Sequence, residues 1–161
     1  MTKVDISDAY PHLLIRTHLR HLFRFIWQGT VFQYRSLCFG LSSAPRIFTK
    51  VMKPVIEAWI RSMGIRCVIY LDDILLLASS PGEARKNTQL TLDLLRYLGL
   101  LVKPSKVEAV PTQQIEFLGL QVDSIKMMLT VPLDKIKRLQ KQIRQTIDLQ
   151  FNRQLTRRQL G

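Results

Sequence analysis

The chain has 161 residues, enough for one domain with a real core, and its 47% apolar content is ordinary for a globular protein. No run reaches the roughly 18 apolar residues of a membrane span. Asp5 and Asp8 interrupt an N-terminus that lacks the apolar core of a signal peptide. A secreted or membrane-spanning protein is therefore not expected; the expected location is intracellular, in cytoplasm or nucleus. Lys and Arg total 24 against 12 Asp and Glu, and the net +12 favours a polyanionic partner, nucleic acid or an anionic membrane surface, without choosing between them. Cys38 and Cys67 lie far apart without CxxC spacing, which fits two reduced thiols near the core rather than a disulfide or zinc site.

In chain order, Val4–Ile6 reads as a short buried strand running into a polar turn at Ser7–Asp8. Phe23–Trp27 and Val31–Arg35 are aromatic and β-branched runs around Gln28-Gly29-Thr30, which predicts a hairpin. Ser42 or Ser43 is placed to cap a helix with Pro45 in its first turn. Phe48, Val51, Met52, Val55, Ile56, Trp59 and Ile60 then recur at helical spacing, and Pro54 predicts a kink or a break.

Arg66–Leu71 and Ile74–Ala78 are strand-like and separated by Asp72-Asp73, which predicts a second hairpin turning at the two aspartates. Ser79–Gly82 reads as a loop. Leu90, Leu94, Leu95 and Leu98 stripe a helix that Gly99 ends. Gln114–Val122 is strand-like. Leu133, Ile136, Leu139, Ile143 and Ile147 mark a last amphipathic helix, whose apolar stripe is expected to pack inward. Its other face is basic, and residues 133–161 carry a net +6 from Lys135, Lys137, Arg138, Lys141, Arg144, Arg153, Arg157 and Arg158 against Asp134 and Asp148. The order predicts an α+β fold, with helices packed on one face of a mainly antiparallel sheet.

Tyr70-Leu71-Asp72-Asp73 is the informative tetrapeptide. Two adjacent carboxylates between apolar strands repel each other and are poorly solvated, and a divalent cation would offset both costs. Taken alone, an Asp-Asp pair is more often a solvated turn, and Asp5 a strand-end residue. If the strand ending at Asp5 lies beside the hairpin, three carboxylates can hold two cations about 3.5–4 Å apart, the arrangement for in-line nucleotidyl transfer. Mg²⁺ suits such a site, because it takes few carboxylates and shares its other positions with water and phosphate.

Five blocks together resemble the reverse transcriptases of retroelements. Val4-Asp5-Ile6-Ser7-Asp8-Ala9-Tyr10 is similar to their first palm motif, and Phe32 through Phe48, with Phe39-Gly40-Leu41-Ser42-Ser43-Ala44-Pro45, resembles the second. Tyr70–Asp73 is similar to the third and Leu98–Lys106 to the fourth. Phe117-Leu118-Gly119-Leu120 resembles the primer grip. The blocks keep the family's order and spacing over nearly the whole chain. The stretches around Phe39–Lys50 and Phe117–Ser124, with the terminal Arg158-Gln159-Leu160-Gly161, resemble DIRS-type elements most and gypsy-type elements next.

The resemblance implies roles for particular residues. Asp5, Asp72 and Asp73, with the carbonyl of Ile6, would hold two Mg²⁺ ions, Mn²⁺ being able to substitute. Asp8 and Ala9 would lie under the incoming triphosphate, and Tyr10 would be the gate that rejects a 2′-hydroxyl; an ordinary core tyrosine is the plainer reading. Phe39 and Gly40 would contact the nucleotide, Tyr70 the primer end, and Phe117, Leu118 and Gly119 the primer backbone. Lys106 is a candidate to protonate the pyrophosphate, set against a solvated lysine. Lys137, Lys141 and Arg144 would lie toward duplex phosphates.

The expected organisation is a palm over residues 1–132 and the start of a thumb or connection over 133–161. The expected partners are a primed RNA or DNA template, deoxynucleoside triphosphates, and other parts of a polyprotein such as fingers and ribonuclease H; no membrane partner is expected. The first motif begins at residue 3, so the chain is expected to be a piece of such a polyprotein without its fingers, marginally stable or self-associating. Pro11 and His12, just after Tyr10, depart from the family pattern. Activity is set against a catalytically inactive nucleic-acid-binding remnant and a non-catalytic partner subunit.

Overall fold

A computed structural model describes residues 1–151. They form two compact units, Met1–Thr112 and a second that begins at Gln113. The division falls ahead of the Phe117–Leu120 block, which groups with the following helix rather than with the residues before it. Arg153, Arg157, Arg158 and the terminal Arg158–Gly161 stretch lie outside the described residues.

The first unit is built on a three-stranded antiparallel sheet in the order β1 (Thr2–Asp5), β5 (Asp73–Leu77), β4 (Arg66–Tyr70). Alternation gives it two faces. Val4 pairs with Ile74 and Thr2 with Leu76 across β1–β5, and all four are fully or almost fully buried. Lys3, Asp5, Asp73 and Tyr70 belong to the other face. Between β1 and β4 in the chain, β2 (Arg24–Trp27) and β3 (Thr30–Gln33) form a separate hairpin. Its Gln28-Gly29 turn has positive φ at both residues, the geometry that matches strand twist.

Helix α1 (Ala44–Pro54) starts as expected, with Ser43 at the N-cap position and Pro45 in the first turn, though the Ser43 side chain makes no capping bond. Pro54 lacks the N–H that would continue the ladder, and the chain passes into a π-helical segment, Val55–Ile60. Phe48, Met52 and Ile60 pack with Val4, Ile6, Ile74, Leu76, Leu94 and Leu95 in one core. Helix α2 (Pro81–Tyr97) begins earlier than the leucine stripe suggests. Ser80 accepts the Glu83 N–H at 3.1 Å, and Glu83 Oε2 accepts the Ser79 N–H at 2.7 Å, so the expected loop is a capping box. At its end Gly99 takes φ +75°, the Leu100 N–H donates to the Leu95 carbonyl, and the Gly99 N–H donates to the Arg96 carbonyl. That is the Schellman stop expected of this glycine.

The buried face of α2 differs from the leucine stripe. Ala84, Asn87, Thr88, Thr91, Leu94 and Leu95 are buried, while Leu90 and Leu98 are exposed. Small polar residues suit this face because Thr2 of β1 needs a partner: its hydroxyl lies 2.7 Å from that of Thr88.

The second unit carries a meander of β6 (Gln114–Phe117), β7 (Leu120–Asp123) and β8 (Met128–Thr130), followed by α3 (Leu133–Phe151). The expected inward packing of the α3 stripe is not found: Leu133, Ile136, Leu139, Ile143 and Ile147 are all exposed. Lys135 pairs with Glu116 of β6. No described helix is long and apolar enough to cross a membrane. Cys38 and Cys67 are both free thiols, and burial raises the Cys67 pKa.

Candidate active site

Register brings the acidic residues together. Asp5, the last residue of β1, stands directly opposite Asp73, the first residue of β5, and Tyr70 flanks Asp73 on the other side. The hairpin turn is Leu71-Asp72, one residue earlier than the two aspartates suggest, because Tyr70 and Asp73 close it as a pair. Leu71 adopts φ +54° while Asp72 does not share the positive sign, the pattern of a type II′ turn with a leucine where glycine is usual. The strain aims the Asp72 backbone at β1: the Ile6 N–H donates to the Asp72 carbonyl at 3.0 Å.

The electrostatics follow from this crowding. Asp5 is buried, and its two carboxylate oxygens accept hydrogen bonds from Lys106 Nζ at 3.2 and 3.0 Å. Burial, then the charges of Asp72 and Asp5, raise the Asp73 pKa, with Lys3 and Lys106 opposing. The bond and charge of Asp5 raise the Lys106 pKa, holding it as an ammonium. Lys106 thus stands against the Asp5 carboxylate, a contact the sequence alone did not show.

The donors are hard carboxylate oxygens, the type a magnesium ion takes. Among the described residues no three His, Cys, Asp or Glu side chains are gathered closely enough to hold an ion. The fit is one of donor chemistry and backbone register, with the Lys106 ammonium as the positive charge on Asp5.

Other expected site residues surround this end of the sheet. Asp8 is exposed with φ +48°, and Ala9 is buried as part of the main core. The Tyr10 ring lies 5.2 Å from that of Phe39 and 6.1 Å, edge on, from that of Phe48. Phe39 is 68% exposed, so Tyr10 bridges the core to a solvent-facing aromatic. Gly40 has φ +87°, a conformation only glycine adopts readily. Tyr70 is exposed beside Asp73.

In the second unit Phe117 is buried and Leu118-Gly119 form the two-residue turn between β6 and β7, with φ +50° and +80°. Lys137, Lys141 and Arg144 are exposed and share a shallow groove along α3 with Gln140, Gln145 and Asp148.

Residues 1–122 match the family described as Reverse transcriptase (RNA-dependent DNA polymerase), and the chain belongs to it. It is 28% identical over 121 residues to the Transposon Tf2-3 polyprotein of Schizosaccharomyces pombe (strain 972), covering 75% of this chain and 9% of that protein. It is 30% identical over 127 residues to the Gag-Pro-Pol polyprotein of Human T-cell leukemia virus 3 (strain 2026ND), covering 72% of this chain and 8% of that one. The chain therefore spans under a tenth of these relatives' lengths. Its fold is similar to a foamy viral protease-reverse transcriptase solved with an RNA/DNA hybrid, with a TM-score of 0.75 and 20% identity over 86% of this chain and 18% of the other.

Proposed function

We propose that this chain supplies the catalytic palm of an RNA-directed DNA polymerase, joining deoxynucleotides to a primer 3′ end. The observation that carries the reading is the register of Asp5 opposite Asp73, with Asp72 in the adjoining turn. Asp5, Asp72, Asp73 and the Ile6 carbonyl would hold two Mg²⁺ ions, which would acidify the attacking 3′-hydroxyl and neutralise the leaving pyrophosphate. The chain's own residues do the rest. Asp8 and Ala9 form the loop beneath the triphosphate, and Tyr10, wedged between Phe48 and Phe39, meets the sugar and excludes a 2′-hydroxyl. Lys106, kept protonated by Asp5, would give a proton to the pyrophosphate.

Tyr70 would touch the primer terminus, Phe117, Leu118 and Gly119 its backbone, and Lys137, Lys141 and Arg144 duplex phosphates without reading sequence. A primed RNA or DNA template and deoxynucleoside triphosphates are the substrates on this reading, with other segments of a polyprotein as partners. We assign the chain to a DIRS-type element ahead of a gypsy-type one, from the Phe39–Lys50 and Phe117–Ser124 stretches.

A second reading, a nucleic-acid-binding chain without turnover, is favoured by the absence of a gathered three-carboxylate group among the described residues and by the Lys106–Asp5 pair. Primer extension on poly-rA/oligo-dT with Mg²⁺ or Mn²⁺ separates the two, comparing the parent with Asp72→Asn. Extension by the parent alone supports the polymerase. Duplex binding by both without extension by either supports the binding reading.

A further inference from the structure

The departure at His12 has a counterpart in the structure. Both ring nitrogens are engaged: Nδ1 lies 3.0 Å from the Asp8 carbonyl, and Nε2 lies 2.9 Å from the Leu101 backbone N–H. A carbonyl can only accept and an amide N–H can only donate, so Nδ1 must carry the proton and Nε2 must present its lone pair. The two partners thereby select one neutral tautomer. A second proton on Nε2 would set two donors face to face and break the Leu101 contact.

The ring ties together segments that also meet elsewhere. The Ser7 N–H donates to the Leu101 carbonyl at 2.8 Å, and Ile6 bridges to Val102. Asp8 sits in the left-handed region at φ +48°, a conformation uncommon for a non-glycine residue, and His12 holds its carbonyl there. The Leu13 N–H closes the turn on the Tyr10 carbonyl at 2.9 Å. The loop from Ser7 to His12 is thus pinned at both ends to Leu101.

We infer that His12, as the neutral Nδ1-protonated imidazole, is a positioning residue that fixes the Ser7–His12 loop on Leu101 and so sets the placement of Asp8, Ala9 and Tyr10. The role of that loop under a nucleotide rests on the polymerase reading; the clamp does not. One side of the ring faces apolar residues. The cavity beside it is lined by Leu13, by Phe48, Val51 and Met52 of α1, by Val55 of the π-helical segment, and by Leu98, Gly99 and Leu100 after α2. None of these can ionise, and the one acid on the loop, Asp8, meets the ring through its carbonyl.

The test is nuclear magnetic resonance on the whole 161-residue chain, without metal or nucleotide. Long-range proton–nitrogen spectra at neutral pH should show His12 as the Nδ1-H tautomer, and acidification should shift the Leu101 amide in step with the ring. In His12→Ala the Leu101 amide should exchange with solvent at least about ten-fold faster. The Leu100 amide, which bonds to Leu95 and not to the ring, should change less than about two-fold. His12→Gln, able to offer an acceptor oxygen to Leu101, should recover part of the protection. An Nε2-H tautomer, an unchanged Leu101 amide, or equal acceleration at Leu100 and Leu101 would each overturn the inference. Failure of primer extension in the parent would count against the polymerase reading alone, because the spectra read the clamp without metal, nucleotide or turnover.

Discussion

The Asp5 and Asp73 carboxylates are carried by residues that face each other across the β1–β5 ladder, and the Lys106 ammonium is bonded to Asp5. Like charges opposed across a strand pair are destabilising, and Lys106 offsets that repulsion in the absence of a cation. Replacing Lys106 by Gln takes the bonded ammonium away from the buried Asp5 carboxylate. Lys106→Gln is therefore expected to melt at a lower temperature than the parent in metal-free buffer. Because the same carboxylate then becomes free to meet a dication, millimolar Mg²⁺ should raise the melting temperature of the variant more than that of the parent. Thermal scans with and without Mg²⁺ check this. Equal increments would mean that Lys106 and the cation do not compete for Asp5.

Buried hydroxyls make a second prediction. Thr2 and Thr88 are at most 2% exposed, and their oxygens are 2.7 Å apart, with Thr88 also 2.7 Å from the Ala84 carbonyl. Thr88→Val strands the Thr2 hydroxyl in the core, at a cost of about 1–3 kcal/mol. Adding Thr2→Val removes the stranded group and should restore much of the loss, because replacing both partners by groups of similar shape is close to neutral. Urea unfolding of the two single variants and the double variant tests it. A double variant less stable than the sum of the singles would refute the pairing.

Much of the first unit was legible in the sequence because its signals are local. The apolar runs at Val4–Ile6 and Ile74–Ala78 became β1 and β5, Gly99 ended α2, and Pro54 ended α1. The errors came where tertiary partners decide. Leucines 90 and 98 looked like core by spacing, yet α2 turns Asn87, Thr88 and Thr91 inward, and Thr88 meets the Thr2 hydroxyl of β1, a partner eighty-six positions away. The Asp72-Asp73 turn was misplaced by one residue because propensity argues against a leucine at φ +54°, and the ladder imposes it. The α3 stripe has helical periodicity but no cover among the described residues, and periodicity alone cannot say whether a face finds a partner. At the site, the types and order of the acids were readable. The Lys106 bond to Asp5 was not, since it joins residues a hundred and one positions apart.

Asp123 gives the pH prediction. Its Oδ1 accepts the Ile125 and Lys126 N–H groups, each at 2.9 Å, and its Oδ2 accepts Gln114 Nε2 at 2.8 Å. The Lys126 N–H bond comes first among the causes that hold its pKa below the usual carboxylate range, with burial opposing. A folded-state pKa below the unfolded value means that the ionised carboxylate stabilises the fold at neutral pH. That contribution is lost as pH falls through the lowered folded value, below about pH 4. Asp123→Asn should therefore weaken protection of the Ile125 and Lys126 amides at about pH 7, and the difference from the parent should shrink toward about pH 3. Hydrogen exchange read at those two amides checks the sign. A difference that grows on acidification would show that the charge does not stabilise this turn.

The Leu118-Gly119 turn separates what folding prefers from what the site carries. Both residues have positive φ, the two-residue geometry for which Asn-Gly is the favoured pair. Gly119 fits that rule; a Cβ there would meet only Lys135 Nζ, at 3.0 Å, the tip of a long side chain that can move aside. Leu118 does not fit it: half-exposed at 48%, it recovers little burial for a backbone conformation that disfavours it. Leu118→Asn should stabilise the meander by about 0.5–1 kcal/mol, since asparagine tolerates the left-handed region. If Leu118 touches the primer, the same variant should lose primer affinity while gaining stability, two changes of opposite sign from one substitution. Amide exchange in β6 and β7 reads the first, and anisotropy with a primed duplex reads the second. A stabilised variant with unchanged duplex affinity would remove Leu118 from the primer contact and leave its strained turn without a functional account.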